Sequence, residues 1–496
     1  MLLWCCECGC TSLLFSFGST ISSCVSVATH LSSTRLAAMI RLVSTRCLQL
    51  TRNKLLILCI CLAIVCLLLF SLVADTPYRD GRFYTFSPTT FKSSAAQGEG
   101  GREATGKPKL RFFKQVSGHD IFLYSAIANS REPEEGELNI IITAFDSTGT
   151  DSLKCCAVMK GKTLFTAPAT IFHKYYIEDI LGPFFEKFKN SQTRAKQYAC
   201  VVPELGIDVS HVTLTASSCP FGEEEYLPVI FPKSVPQGLA LCAKSAFGDG
   251  LDPNKLMEWF EVQRLLGVDH IQLMDLNNPE PVQKVFRYYK DMGLLNPLPY
   301  ELPGPPYHRG LDQPHWVPQQ ASHDETFSIL DCKQRLRGYS YVMGHDMDEV
   351  LMPAKHVSIK DLIKEQLMLR PDSAGFYFYT QFFIYDWGPT NKKTDISYFG
   401  YLNSTLPRNE CKKYVYLMSR VVQARTHSFF SRSPYQQYFI PMEDAILHHY
   451  RKCPAHVWKT CDPPKMTDRS MLRFQGQLEK GLEKAREAIG IRPTAS

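Results

Sequence analysis

The sequence predicts an α/β protein built on a mostly parallel sheet, preceded by a β-rich domain and a single N-terminal transmembrane helix. Three observations predict it. From Pro236 onward, apolar runs of strand length alternate with stretches of helical periodicity, the pattern of a helix-covered parallel sheet. Residues 117–235 carry only short β-branched runs separated by turn residues. Leu55–Ala74 is twenty residues without a charge, long enough at about 1.5 Å per residue to cross a bilayer core.

Taken in order, residues 1–54 read as a cytoplasmic tail. Arg35, Arg41, Arg46, Arg52 and Lys54 stand before the apolar run with no acidic residue among them, whereas Asp75, Arg79, Asp80 and Arg82 after it balance. The positive-inside rule then places the body outside the cytoplasm, as a single-pass type II protein. A cleaved signal peptide fits less well, because the run is too long and no A-x-A-like site follows. The formal net charge of +6 divides at the same point: five Lys/Arg against one Glu before Asp75, and 50 against 48 from there on. A nearly neutral body excludes a nucleic-acid partner. Nine of the 18 cysteines belong to the body, where an oxidising lumen permits disulfides and an odd count leaves one over. Asn403-Ser404-Thr405 is a usable glycosylation sequon there.

Residues 75–116, rich in Pro, Gly, Ser and Thr, are expected to form a stem. In 117–235 the expected strands are IFLYSAIA, LNIIITAF, AVMKGKTLF, ACVVPE and HVTLTAS. KGKT at 160–163 is no phosphate loop, since Cys156 stands where its first glycine belongs. The domain at 236–470 opens on the strand GLALCAKSAF. Asp252 then caps a helix that Pro253 starts and Gly267 ends, with Leu256, Trp259, Phe260, Val262, Leu265 and Leu266 on its apolar face. HIQLMDL is a second strand. Val282, Val285, Phe286 and Tyr289 set a second helix between Pro281 and Gly293, and a third strand spans Leu294–Leu302. A helix at 319–337 leads to a fourth strand, Tyr339–Gly344. Residues 471–496 read as a charged surface helix with a frayed tail.

His345-Asp346-Met347-Asp348-Glu349 follows the fourth strand. Side chains two apart on an extended segment point the same way, so Asp346 and Asp348 present two carboxylates together. Such a pair suits a hard divalent cation that keeps positions open for phosphate oxygens. An isolated D-x-D triplet is common in solvated turns. Its place at the carboxyl edge of an alternating sheet, where ligands bind, makes it a site. Asp275 ends the second strand, and Ala243 and Lys244 end the first, at the same carboxyl edge. Asp386 stands between Tyr385 and Trp387, and Glu443 and Asp444 follow further on. The run FYFYTQFFIYDW at 376–387 reads as core strand. His448, His449, Cys453, His456 and Cys461 resemble a zinc set, but in an oxidising lumen a disulfide using Cys453 or Cys461 is the better reading.

Leu239–Arg451 resembles glycosyltransferase family 92. The matching residues are Cys242, Glu258-Trp259, Gly267, Tyr289, Gly293, Gln320, Asp331-Cys332, the D-M-D-E segment, His427 and His449-Tyr450-Arg451. Val350-Leu351 departs from the Phe usual after D-x-D-E and leaves the carboxylates intact. The resemblance implies a GT-A nucleotide-sugar fold, a UDP-sugar donor with galactose first, Mn²⁺, and inversion at the anomeric carbon. It implies that Asp346 faces donor ribose or metal, that Asp348 ligates the metal, and that His449, with His448 second, completes the set. With such a donor, Asp275 is a candidate for the ribose or base, and Ala243 and Lys244 lie where the base would rest. Inversion makes Asp386 the candidate general base for the acceptor hydroxyl, with Glu443 and Asp444 competing and Trp387 as a sugar platform. The expected protein is a Golgi membrane glycosyltransferase acting on glycan or glycoprotein acceptors. A transferase with another donor sugar and an inactive lumenal glycan-binding ectodomain are the alternatives.

Overall fold

The computed structural model describes residues 85–87 and, between 112 and 491, all but 131–136, 147–151, 160–162, 175–193, 204–208, 247–250, 277, 301–317, 454–460 and 462. The expected tail, transmembrane helix and most of the stem lie outside the described residues, as does His456. Among the described residues no helix is long and apolar enough to cross a membrane. The last of the expected stem residues belong to the fold: Phe113 and Val116 are buried, and Lys114–Gln115 pairs with the next strand.

The β-rich part forms a nine-stranded sheet. Its main strands are β1 (Ile121–Ser130), β2 (Glu137–Asp146), β3 (Lys154–Met159), β4 (Leu164–Lys174), β5 (Arg194–Pro203), β6 (Val209–Thr215) and β7 (Leu227–Ile230). They run β4-β3-β6-β7-β1-β2-β5, and β5 pairs back onto β4, which closes the sheet on itself and removes its free edges. The single expected strand AVMKGKTLF is two strands, β3 and β4. The Met159 N–H bonds the Thr163 carbonyl at 2.8 Å between them.

The second nine-stranded sheet contains β8 (Val235–Ala246), β9 (His270–Asp275), β10 (Leu295–Pro299), β11 (Tyr339–Gly344), β12 (Glu349–Pro353), β13 (Ser373–Ile384), β14 (Arg408–Leu417) and, after the short ribbon β15 (Val421–Ala424) and β16 (Phe429–Ser431), β17 (Ala445–Arg451). The order is β10-β9-β8-β11-β14-β13-β17-β12. The first four strands are parallel, as helical crossovers demand. Beyond them the sheet is mixed: β14 is antiparallel to both neighbours and β12 to β17, while β13 and β17 are parallel, so the sheet is mostly parallel as expected, with antiparallel strands inserted.

Helices α1 (Pro253–Leu265), α2 (Glu280–Asp291), α3 (Pro318–Arg335), α4 (Ile359–Leu369) and α5 (Gln475–Ile489) flank this sheet. Asp252 caps α1 as the sequence suggests, its carboxylate accepting the Asn254 N–H at 2.9 Å. α5 is no free surface helix. Leu478, Leu482 and Ala485 recur on one face and are buried in the core that Trp259 and Phe260 of α1 share. Four disulfides join Cys155–Cys200, Cys156–Cys219, Cys242–Cys332 and Cys453–Cys461. The ninth body cysteine, Cys411, expected to be left over, is disulfide-bonded and not a free thiol.

α3 joins the two sheets. Ser125 of β1 donates to Asp331, Gln197 Nε2 of β5 donates to the Leu330 carbonyl at 3.0 Å, and Phe145 stacks on Phe327 at 4.2 Å. On the opposite face Glu258 of α1 is buried and accepts the Ser397 N–H at 2.9 Å. Burial pushes its carboxyl up to about 8, against the lowering effect of that hydrogen bond. A carboxyl raised in the folded state stabilises fully below its unfolded value, near 4.5, and that stability is lost as pH rises through about 8. Glu258→Gln is therefore expected to flatten the fall in melting temperature between pH 5 and 8; parallel pH profiles of variant and parent would contradict it.

Candidate active site

The order β10-β9-β8-β11 is third, second, first, fourth in chain order, so the connections reverse direction between β8 and β11. The crevice outside the carboxyl ends of such a pair is where open α/β sheets bind ligands. Lys244 lies there, two residues before the end of β8. Its φ of +56° and the irregular register between Cys242 and Ser245 mark a bulge that turns the side chain inward, where it is buried. β11 ends there in Gly344, and the acidic segment turns sharply. The Asp346 N–H donates to Glu349 Oε2 at 2.7 Å and the Glu349 N–H to the Asp346 carbonyl at 3.1 Å. Trp259 Nε1 of α1 holds the Glu349 carbonyl at 2.8 Å.

Both oxygens of Asp346 face ammonium groups: Oδ1 lies 2.8 Å from Lys244 Nζ and Oδ2 lies 2.9 Å from Lys413 Nζ of β14. Lys244 also pairs with Glu325 of α3, and Lys413 stands 3.6 Å from Glu349 Oε2. Burial alone would raise the Asp346 carboxyl, but the two ammoniums outweigh it and hold it well below the usual carboxylate range. Asp348 is turned the other way. Its Oδ2 is 3.3 Å from His449 Nε2, whose other ring nitrogen is 3.3 Å from Glu349 Oε1. The Tyr450 N–H donates to the Asp348 carbonyl at 2.8 Å, so β17 fixes both partners. Burial opposes ionisation of Asp348, and the His449 imidazole beside it prevails, lowering its carboxyl. Glu349, wholly buried, is raised to about 6, with Lys413 partly offsetting the cost of burial.

Asp348 and His449 fit as two donors for one small divalent cation, on the partly exposed side of the turn. Asp346 fits less well, because two lysines compete for its oxygens. Among the described residues no three His, Cys, Asp or Glu side chains are grouped to hold a metal. His448 points to the opposite face from its neighbour, 3.4 Å from Asp468. Ala243 is buried. Asp275 lies beside Ala246 at the same sheet edge, but its oxygens accept from Asn278 Nδ2 and Gln283 Nε2, both at 2.7 Å, and so brace the start of α2.

The three candidate bases separate. Asp386 follows β13 at the edge where Ile384 pairs with Arg451, is exposed, and accepts the Cys453 N–H at 2.7 Å. Beside it the Trp387 indole N–H is buried without a partner. Glu443 and Asp444 precede Ala445, which pairs with Pro353 at the far end of the β12–β17 ladder from Glu349 and His449. At roughly 3.4 Å per residue the four-residue offset is about 14 Å. There Asp444 engages Lys355 at 2.9 Å and Gln366 at 3.2 Å.

Sequence reasoning missed Lys413, Glu325 and the role of Glu349. Lys413 was detectable: it shares a strand face with Val415 and Leu417, and a lysine on a buried face needs an acidic partner.

Residues 237–482 match the family model described as Glycosyltransferase family 92. A curated relative, Beta-1,4-galactosyltransferase galt-1 of Caenorhabditis elegans, is 25% identical over 129 residues, 25% of this chain and 28% of that protein. The chain thus spans well under a third of the curated relative it matches. The solved structure of UDP-glucose pyrophosphorylase complexed with UDP-glucose is similar at 10% identity, covering 51% of this chain and 97% of that one, and its TM-score of 0.20 carries no argument.

Proposed function

We propose that this chain, whose residues 237–482 match the family model Glycosyltransferase family 92, is a transferase that moves galactose from UDP-galactose to a glycan hydroxyl by an inverting, metal-dependent reaction. The observation that carries the reading is the acidic turn at the switch point, with Asp348 facing His449 at 3.3 Å. The strand order of the first four strands supports a GT-A nucleotide-sugar fold, and the galactosyltransferase relative supports galactose over other donors.

Asp348 and His449 would hold Mn²⁺, which when bound neutralises charge on the diphosphate leaving group. Lys244 and Lys413 keep Asp346 ionised and fixed at the mouth of the crevice. Asp386 is favoured over Glu443 and Asp444 as base, since it alone of the three lies at the carboxyl edge shared with Arg451. As the acceptor oxygen bonds to the anomeric carbon, the bond from that carbon to the UDP oxygen breaks with its electron pair. The hydroxyl proton passes to the Asp386 carboxylate. We further propose that Leu55–Ala74 anchors the chain in the Golgi membrane with this domain in the lumen.

A glycan-binding ectodomain is the second reading, favoured by the engagement of both Asp346 oxygens with lysines. Incubation of the full chain with UDP-galactose, Mn²⁺ and a glycan array decides between them. Galactosylated product that disappears with chelator is expected. Glycan binding without UDP release from any acceptor would establish the ectodomain instead.

A further inference from the structure

The tip of the β15–β16 hairpin carries a histidine that the proposed transfer leaves unused. β14 runs antiparallel to β11 and pairs with it as far as Gly344 and Tyr414. It continues past that rung, and two residues at roughly 3.4 Å each put Lys412 about 7 Å beyond the carboxyl end of β11, on the wall of the crevice. His427 is tied to that point: its Nδ1 lies 3.2 Å from the Lys412 carbonyl oxygen. Two further contacts fix the hairpin tip over the strand end. The Arg425 N–H donates to the Ser428 carbonyl at 2.7 Å, and the Tyr414 hydroxyl donates to the Arg425 carbonyl at 2.5 Å. A Cβ on Gly344 would stand 2.7 Å from that hydroxyl, so the glycine is what lets Tyr414 cross the end of β11.

A carbonyl oxygen only accepts, so His427 Nδ1 carries the proton. Burial, aided by the charges of Lys413 and Lys244, holds the ring well below its usual value, so it is neutral and Nε2 keeps its lone pair. Among the described residues that nitrogen has neither a hydrogen bond nor an ion pair. The ring is half-buried, and the charged groups facing it are Lys413, Lys244 and Asp346, which engage one another. Nε2 is the uncharged acceptor left over in a crevice whose ammoniums are already committed to carboxylates.

We propose that His427 Nε2 accepts a hydrogen bond from a ribose hydroxyl of the nucleotide donor. The inference rests on the nucleotide-sugar donor of the proposed function and adds the residue that reads its ribose. Asp348 and His449, which would hold the cation against the diphosphate, face away from Asp346 across the acidic turn. His427 stands with Asp346, Lys244 and Lys413, and so on the nucleoside side. A neutral nitrogen acceptor takes an O–H or N–H donor and not an anionic phosphate, and the ribose hydroxyls are such donors. The base N–H is the other one in a nucleoside, and deoxy nucleotides separate the two.

The test is calorimetric titration of the full chain, in Mn²⁺, with UDP, 2′-deoxy-UDP and 3′-deoxy-UDP. The parent is expected to bind one of the two deoxy nucleotides roughly tenfold more weakly than UDP, the worth of one neutral hydrogen bond. His427→Asn puts its amide nitrogen where Nδ1 is, so the Lys412 contact and the melting temperature are expected to hold. It has no acceptor at the Nε2 position. It is therefore expected to bind UDP roughly tenfold more weakly and to lose the discrimination against that deoxy nucleotide. His427→Gln, whose amide oxygen reaches the Nε2 position, is expected to recover part of the affinity. A ring that merely braces the hairpin would reverse the order, with His427→Asn like the parent and His427→Gln impaired. In turnover, KM for UDP-galactose is expected to rise in His427→Asn while kcat stays near that of the parent. Equal UDP affinity in parent and His427→Asn, or the same deoxy penalty in both, would overturn the proposal and leave the donor reading standing. A parent that binds no UDP would overturn both.

Discussion

Asp348→Asn is expected to lower transfer turnover by about three orders of magnitude while the fold persists. Asparagine keeps the shape of the side chain and the backbone carbonyl that accepts the Tyr450 N–H, so β17 stays where it is. What it loses is the negative oxygen opposite His449. If that oxygen holds a cation against the leaving diphosphate, the lost stabilisation is on the order of 4 kcal/mol, and each 1.4 kcal/mol is about a factor of ten. Asp348 is 27% exposed and is lowered chiefly by His449, so its removal leaves no buried charge stranded and the melting temperature should move little. Turnover of UDP-galactose at saturating Mn²⁺, read beside a melting curve, checks both halves. Unchanged turnover would falsify the metal role, and a collapsed melting temperature would show Asp348 to be structural.

Those carboxylates were legible because their signal is local. Two acids two apart after a strand end is a pattern on five consecutive residues, and the strands and helices from 236 to 344 declared themselves by period, cap and glycine stop. What surrounds the acids was only partly legible: Lys244 was read at the end of its strand and His449 came with the family resemblance, but Glu325 and Lys413, from α3 and β14, were missed, and only strand order brings all four together. That order includes an antiparallel β14 that no helical pattern announces. Asp444 misled for the same reason. It stands five residues before His449, yet β17 carries it to the far end of its ladder with β12, whereas Asp386, distant in sequence, follows the strand that β17 pairs in parallel. α5 misled through composition: its charges are real, but three small or aliphatic residues on one face suffice to dock it on the core.

Lys413→Met is expected to cost about 3–5 kcal/mol of stability, the range for stranding a buried charge. Lys413 faces Asp346 at 2.9 Å and Glu349 at 3.6 Å, and is itself held well above its usual range by them despite the opposing effect of burial. Without it Lys244 alone answers the charge of Asp346, and Glu349 keeps His449 and the Asp346 N–H but no cation of its own. Methionine fills the same volume, so the loss reports charge and not a cavity. Asp346→Asn in the same chain removes one of the stranded charges, and the double variant should recover about 1–3 kcal/mol of the deficit. A purely additive pair would mean that the two side chains are not coupled. The sign with pH follows from Glu349, which stands near 6, above its unfolded value of 4.5. Protonated Glu349 favours the fold, so its contribution is complete below about 4.5 and lost as pH rises through 6. The Lys413→Met deficit should therefore be smaller at pH 5 than at pH 8. If Asp346 also serves the donor, the double variant regains stability without regaining turnover; recovery of both would assign the Asp346–Lys413 pair to the scaffold alone.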